Sequence, residues 1–270
     1  MRASSWWDSA SRCSAPSWPP RGVTTRSNVA PSACAAGSIC TSPTTPRAEP
    51  QARRESSDAP EPSLAVPKSQ DGLARLVARE GVAHWVVEAF RAVDRADFTP
   101  ENTGAAAYAD RPVALPEGQT TSQPSLIARM IDELAPPRGG RVLEVGTGFG
   151  FQTALLAQRA ALVVSVERHP RLAERACANL ERAGVANCVV VVADGWKGEV
   201  GHAPYDGIVV SATAPEVPPD LAAQLTEGAR LVIPVKDGYD ERVVLLEKHA
   251  DRLESIRTVV PARFVPLVRE

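Results

Sequence analysis

"RVLEVGTGFGFQT", residues 141–153, runs an apolar segment into three glycines and then into a helical pattern. A short Val/Leu-rich run bounded by glycine reads as a buried strand. Gly146, Gly148 and Gly150 allow a tight turn at its end. Strand, glycine loop and helix together form the unit that holds nucleotides in parallel α/β sheets. Glu144, two residues before the first glycine, is the anomaly. Three ligands compete for such a loop. A mononucleotide P-loop needs GxxxxGK[ST], and no Lys is present. A dinucleotide loop needs G-x-G-x-x-G, whereas the spacing here is G-x-G-x-G. S-adenosylmethionine has no phosphate and carries a sulfonium and an ammonium, so an acid that would repel a pyrophosphate favours it by Coulomb attraction.

Outward from this unit, strand and helix alternate. "LVVSVE" (162–167) precedes a helix over "PRLAERACANLERAG" (170–184), with Gly184 at its end. "CVVVVAD" (188–194) and "YDGIVVSA" (205–212) follow as strands. A helix over "PDLAAQLTEG" (219–228) leads to a strand over "ARLVIPV" (229–235), and two extended runs from Arg242 onward predict an antiparallel pair. Near-continuous Val/Ile/Leu strands separated by helices predict an α/β fold: a doubly wound, mostly parallel sheet with helices on both faces. Upstream, "LARLVARE" (73–80) and "AHWVVEAFRAV" (83–93) have helical spacing. "DFTPENTGAAAYADRPVALPEG" (97–118) reads as a long irregular connection, a type of segment that is often functional. "SQPSLIARMIDELAPP" (122–137) reads as a helix capped by Ser122, with Pro124 in its first turn and Pro136–Pro137 ending it.

The chain has 270 residues, of which 44% are hydrophobic, enough to bury a sizeable core; 30 basic residues against 32 acidic ones give no field toward nucleic acid or anionic lipid. No apolar run approaches the roughly 18 residues of a membrane helix. The five cysteines form no CxxC pair and the histidines are scattered, so neither a metal site nor a disulfide framework is expected. A cytoplasmic monomer is the expectation. Residues 1–66 are rich in Ser, Pro, Ala, Thr and Arg without periodicity. They read as a disordered low-complexity segment lying upstream of the natural start, and residues 67–270 as one domain.

Acids recur at the strand ends. Glu167 closes the strand after Glu144's and is placed to accept hydrogen bonds from both hydroxyls of a ribose; Asp194 follows the next strand, placed for an adenine amino group. With the glycines, these acids describe one nucleoside-shaped site.

From about Leu73 to Val268 the chain resembles the protein-L-isoaspartate O-methyltransferase family. The resemblance rests on "GQTTSQP" (118–124), "VLEVGTGFGFQTALLA" (142–157), "VERHPRLAERA" (166–176), "DGWKG" (194–198), "SATAPEVP" (211–218) and "RFVPLV" (263–268). It implies a Rossmann-like methyltransferase fold, S-adenosylmethionine as methyl donor, and repair of L-isoaspartyl (often also D-aspartyl) residues in damaged proteins. It places Ser122 on the family's active-site serine and Thr120 on the threonine before it. Glu144, Gly146, Thr147, Gly148, Glu167, Arg168, Asp194 and Gly195 fall on donor-binding motifs. Thr121 stands where the family usually has isoleucine and Phe151 where tyrosine is common. These departures touch the acceptor side more than the donor side.

The implied acceptor is a carboxylate, ionised at neutral pH with a reference pKa of roughly 4, so no general base is required. Ser122, near a helix N-terminus suited to anions, is then a positioner rather than a nucleophile. Tyr108 and Asp110 would shape the lid of the acceptor pocket. Trp196 is open between flanking an adenine and filling a core, His169 reads as a helix-start residue, and Arg263 belongs with a packed tail. Two alternatives remain: an enzyme that esterifies aspartate in a ribosomally made peptide, and a non-catalytic binding module. Removing residues 1–66 is expected to leave activity and melting temperature unchanged; loss of folding in that truncation would refute the assignment.

Overall fold

The computed structural model describes residues 66–250 and 252–269, so the expected low-complexity stretch, Val66 apart, lies outside the described residues. Two amphipathic helices open the fold, α1 (Gln70–Arg79) and α2 (His84–Ala92). Ser69 caps α1 by accepting from the Gly72 N–H at 3.2 Å. After α3 (Pro124–Leu134) come β3 (Arg141–Val145), α4 (Phe151–Ala157), β4 (Leu162–Glu167), α5 (Pro170–Arg182), β5 (Cys188–Val192) and β6 (Tyr205–Val210). The chain closes with α6 (Pro219–Ala223), β7 (Leu225–Asp237), β8 (Asp240–His249) and β9 (Arg252–Pro261). The seven-stranded sheet has the order β5-β4-β3-β6-β7-β8-β9. Its strands are parallel through β7, while β8 and β9 pair antiparallel, as the terminal extended runs predict.

Side-chain alternation along each strand divides the core in two. Val142, Val163, Val190, Val209 and Val232 face α1 to α5, where Phe90 and Phe151 meet edge to face at 5.6 Å. Leu143, Val164, Ile208 and Leu231 face the opposite side, against Trp196, Leu221 of α6 and the C-terminal tail. Both faces are covered, but unequally.

Three local expectations change. The helix expected over 219–228 ends at Ala223, because Leu225 already pairs with Tyr205 and the chain enters β7. The connection 97–118 is not irregular throughout: it forms 3-10 turns at Arg95–Phe98 and Glu101–Tyr108 and a strand β1 (Val113–Ala114) paired with β2 (Thr120–Thr121). Ser122 does not cap α3. That helix starts at Pro124 with Gln123 at the cap position, and the capping oxygen comes from 15 residues upstream: Asp110 Oδ1 accepts from the Ser125 N–H at 2.8 Å. A cap supplied by a distant carboxylate leaves no local signature, and Ser122 is left outside the helix.

Gly150 joins β3 to α4 with φ +94°, and a Cβ there would stand 3.1 Å from Leu180 Cγ. Gly150→Ala combines a disfavoured backbone with a close contact, so it is expected to cost about 2 kcal/mol, read as a Tm drop of roughly 4–8 °C. An unchanged Tm would show that the turn relaxes freely.

Candidate active site

The parallel strands deliver their carboxyl ends to one edge of the sheet, and β3 lies where the connections diverge, toward β4 on one side and β6 on the other. Ligands bind at such a switch point. A cleft of about 880 Å³, counted to its open mouth, lies there. Thr120, Ser122, Gly146, Thr147, Gly148, Glu167, Arg168 and Gly195 all line it, so the structure brings together most of the residues singled out in the sequence.

Two do not reach its wall. Glu144 is fully buried: strand alternation turns it toward α4, and it lies two register positions short of Glu167, inside the sheet rather than at its edge. Its Oε2 accepts from Thr153 Oγ1 at 2.5 Å and Ser165 Oγ at 2.7 Å, and Ser165 Oγ lies 2.6 Å from Thr147 Oγ1. Burial pushes its carboxyl up from 4.5 to about 7, against the lowering effect of the Thr153 and Ser165 hydroxyls. Glu144 is therefore not the exposed charge beside the loop that the sequence suggests. It anchors the strand and helix flanking the glycines. Asp194 also turns inward: Oδ1 accepts from the Trp196 N–H at 2.9 Å and Oδ2 lies 3.6 Å from Lys197 Nζ.

The acid on the cleft wall is Glu167. Its Oε2 accepts from the Gly148 N–H at 2.9 Å and its Oε1 from the His169 N–H at 3.0 Å. Each oxygen thus holds one backbone donor and keeps acceptor capacity for a ligand hydroxyl. These bonds also set the separation between the β3 and β4 loops. Gly195 is needed for close approach, since a Cβ there would lie 2.5 Å from Val145 Cγ1. His169 occupies the cap position of α5, matching its reading as a helix-start residue. Trp196 is buried in the second core cluster, with the Arg269 guanidinium 5.6 Å from its ring.

A second cleft adjoins the first and shares Thr120, Thr121, Ser122, Ser211 and Val265 with it. Asp110 and Arg263 line it, while Tyr108 does not; its hydroxyl bonds Asp94 Oδ2 at 3.3 Å. The tail that closes both clefts is strapped down. Thr213 N–H donates to Val265 O and Leu267 N–H to Thr213 O, both at 2.8 Å. Glu241 Oε2 accepts from the Phe264 N–H at 3.0 Å and Thr213 Oγ1 at 2.8 Å. The Phe264 N–H above all holds the Glu241 carboxyl below its usual range. Ser211, which lines both clefts, and Arg95, which lines neither but donates to Thr121 Oγ1 and Ser122 O, receive no role from the motifs. Ser211 directly follows β6 and so stands at the same sheet edge, a position available from the strand pattern. Arg95 carried no such signal.

Comparison with known proteins comes to the same place. The model of the family described as protein-L-isoaspartate(D-aspartate) O-methyltransferase matches residues 69–270. A protein-L-isoaspartate O-methyltransferase of Methanoculleus marisnigri is 49% identical over 183 residues, covering 68% of this chain and 83% of the relative. One from Anaeromyxobacter dehalogenans is 50% identical over 184 residues, covering 67% and 88%. Among solved structures, a protein-L-isoaspartate O-methyltransferase superposes with a TM-score of 0.67 at 30% identity, covering 73% of this chain and 65% of the other. A Plasmodium falciparum structure described as a β-aspartate methyltransferase in complex with S-adenosyl-L-homocysteine gives 0.65 at 24%, covering 75% and 99%, and shares the fold.

The folded state binds the Glu144 proton more tightly than the unfolded chain does. Stability from this group is therefore intact below about 4.5 and is lost as pH rises toward 7. The loss amounts to about 3 kcal/mol at its limit. Glu144→Gln should abolish that part of the pH dependence, so the variant gains stability relative to wild type between pH 5 and 8 in denaturant titrations. A wild-type-minus-variant difference that stays constant with pH would refute the buried titration.

Proposed function

This chain belongs to the protein-L-isoaspartate(D-aspartate) O-methyltransferase family, and on that premise we propose that it transfers a methyl group from S-adenosylmethionine to the free carboxylate of L-isoaspartyl residues, initiating repair of damaged proteins. The observation that carries the reading is the union of two clefts along one wall, Thr120 to Ser122. A donor nucleoside fits the first, and a polypeptide carboxylate can approach from the second.

The first cleft suits the donor. The loop from Gly146 to Gly148 offers backbone without side-chain bulk, and the Glu167 carboxylate keeps lone pairs for the ribose hydroxyls. Arg168 and Gly195 complete that wall, and Thr147 contributes through its backbone while its hydroxyl is tied to Ser165. Asp194 acts by shaping the turn that presents Gly195. Glu144 acts from behind, holding β3, β4 and α4 in register. S-adenosylmethionine, when bound, supplies an electrophilic methyl group.

The rest falls to positioning. An acceptor carboxylate is already anionic at neutral pH, so the chain needs no base to activate it. Thr120 and Ser122 stand on the shared wall, where they hold the acceptor in line and exclude water. Isoaspartyl-containing proteins or peptides are thus the partners on this reading. Residues 67–270 form the catalytic domain.

Incubation with labelled donor and a pair of peptides differing only in isoaspartyl or aspartyl linkage tests this reading. A base-labile methyl ester is expected on the isoaspartyl peptide alone. Equal rates on both peptides would refute the repair assignment and favour a dedicated aspartate methyltransferase.

A further inference from the structure

We propose that Arg95 is a positioning residue for the methyl acceptor, holding Thr121 and Ser122 on the wall shared by the two clefts. The proposal rests on the function argued above. Arg95 is fully buried and lines neither cleft. Its Nη1 donates to Ala107 O at 2.8 Å and Ala109 O at 2.9 Å. Its Nη2 donates to Arg111 O at 3.1 Å, Thr121 Oγ1 at 2.9 Å and Ser122 O at 3.2 Å. The guanidinium carbon lies 5.9 Å from the Phe151 ring centroid.

One planar group thus gathers acceptors from both ends of the β1–β2 hairpin. The three carbonyls precede the hairpin, and the Thr121 hydroxyl and Ser122 carbonyl end it. Thr121 Oγ1 also accepts from the Val113 N–H at 3.1 Å, which relays the guanidinium across the pair. A hairpin with two residues per strand cannot hold itself in water, so its position must come from outside. Burying a cation against neutral acceptors is costly, and an apolar side chain would fill the space more cheaply. What an apolar side chain could not do is fix Ser122 laterally. Lysine could not do it either, because its three donors lack the planar fork.

In-line transfer is sensitive to displacement of the acceptor, with roughly a hundredfold in rate per ångström. Arg95→Lys is therefore expected to lower kcat/KM for an isoaspartyl peptide by roughly 10- to 100-fold. The Kd for S-adenosylhomocysteine should stay within about twofold, since the donor side of the cleft is held by the Glu144 network instead. Hydrogen exchange should quicken at amides 107–123 and not at 141–153. Thr121→Val should lower peptide kcat/KM in the same sense with Thr121→Ser restoring it, and the Arg95→Lys/Thr121→Val double variant should be no worse than Arg95→Lys.

Wild-type peptide kcat/KM in folded Arg95→Lys would overturn the proposal, as would a parallel loss of S-adenosylhomocysteine binding. If Arg95→Lys does not fold, unchanged peptide kcat/KM in Thr121→Val overturns it. If the wild-type chain forms no ester on isoaspartyl peptides, the functional reading fails by itself. Exchange at 107–123 then decides the role of Arg95, and unchanged protection there refutes it.

Discussion

A carboxyl group sealed inside a parallel sheet must find hydrogen-bond donors or keep its proton, and the architecture of this chain is arranged around that constraint at Glu144. Strand β3 lies at the switch point of the sheet, and alternation turns its fourth residue toward the helices. Thr153 from α4 and Ser165 from β4 answer it, and Thr147 in the glycine loop joins through Ser165. The same bonds that make burial tolerable lock strand, loop and helix together. A rigid loop follows from this, and a rigid loop is what lets bare backbone serve as one wall of a binding cleft.

The division of labour between the acids follows. Glu167, the last residue of its strand, reaches the cleft wall and is aligned by the N–H groups of Gly148 and His169. Glu144 and Asp194 support from behind. Three acids along one edge therefore do different work: Glu167 lies two register positions further toward the strand ends than Glu144, and a turn directs Asp194.

On the acceptor side, the chemistry asks for placement and little else, because a carboxylate arrives ready to react. Among the described residues, no histidine or cysteine lines either cleft. The chain instead invests in holding a short hairpin and the tail still: Arg95 beneath one, Glu241 and Thr213 beneath the other. The geometry of the shared wall is thus set in part by buried groups that line neither cleft.

The sequence by itself determined the sheet, the glycine turn, the antiparallel end and most of the cleft wall. Those features are local or periodic: Val/Ile/Leu runs specify buried strands, and Gly146 to Gly150 specify a turn wherever they occur. The tertiary structure alone decided which face Glu144 occupies, that Asp110 rather than Ser122 caps α3, that β7 begins before the helical pattern at 219–228 is exhausted, and that Arg95 lies under the hairpin. Each of these depends on a partner distant in the chain. A side chain's spacing to its neighbours can reveal the element it sits in, but not the carbonyl, carboxylate or strand that folding brings against it.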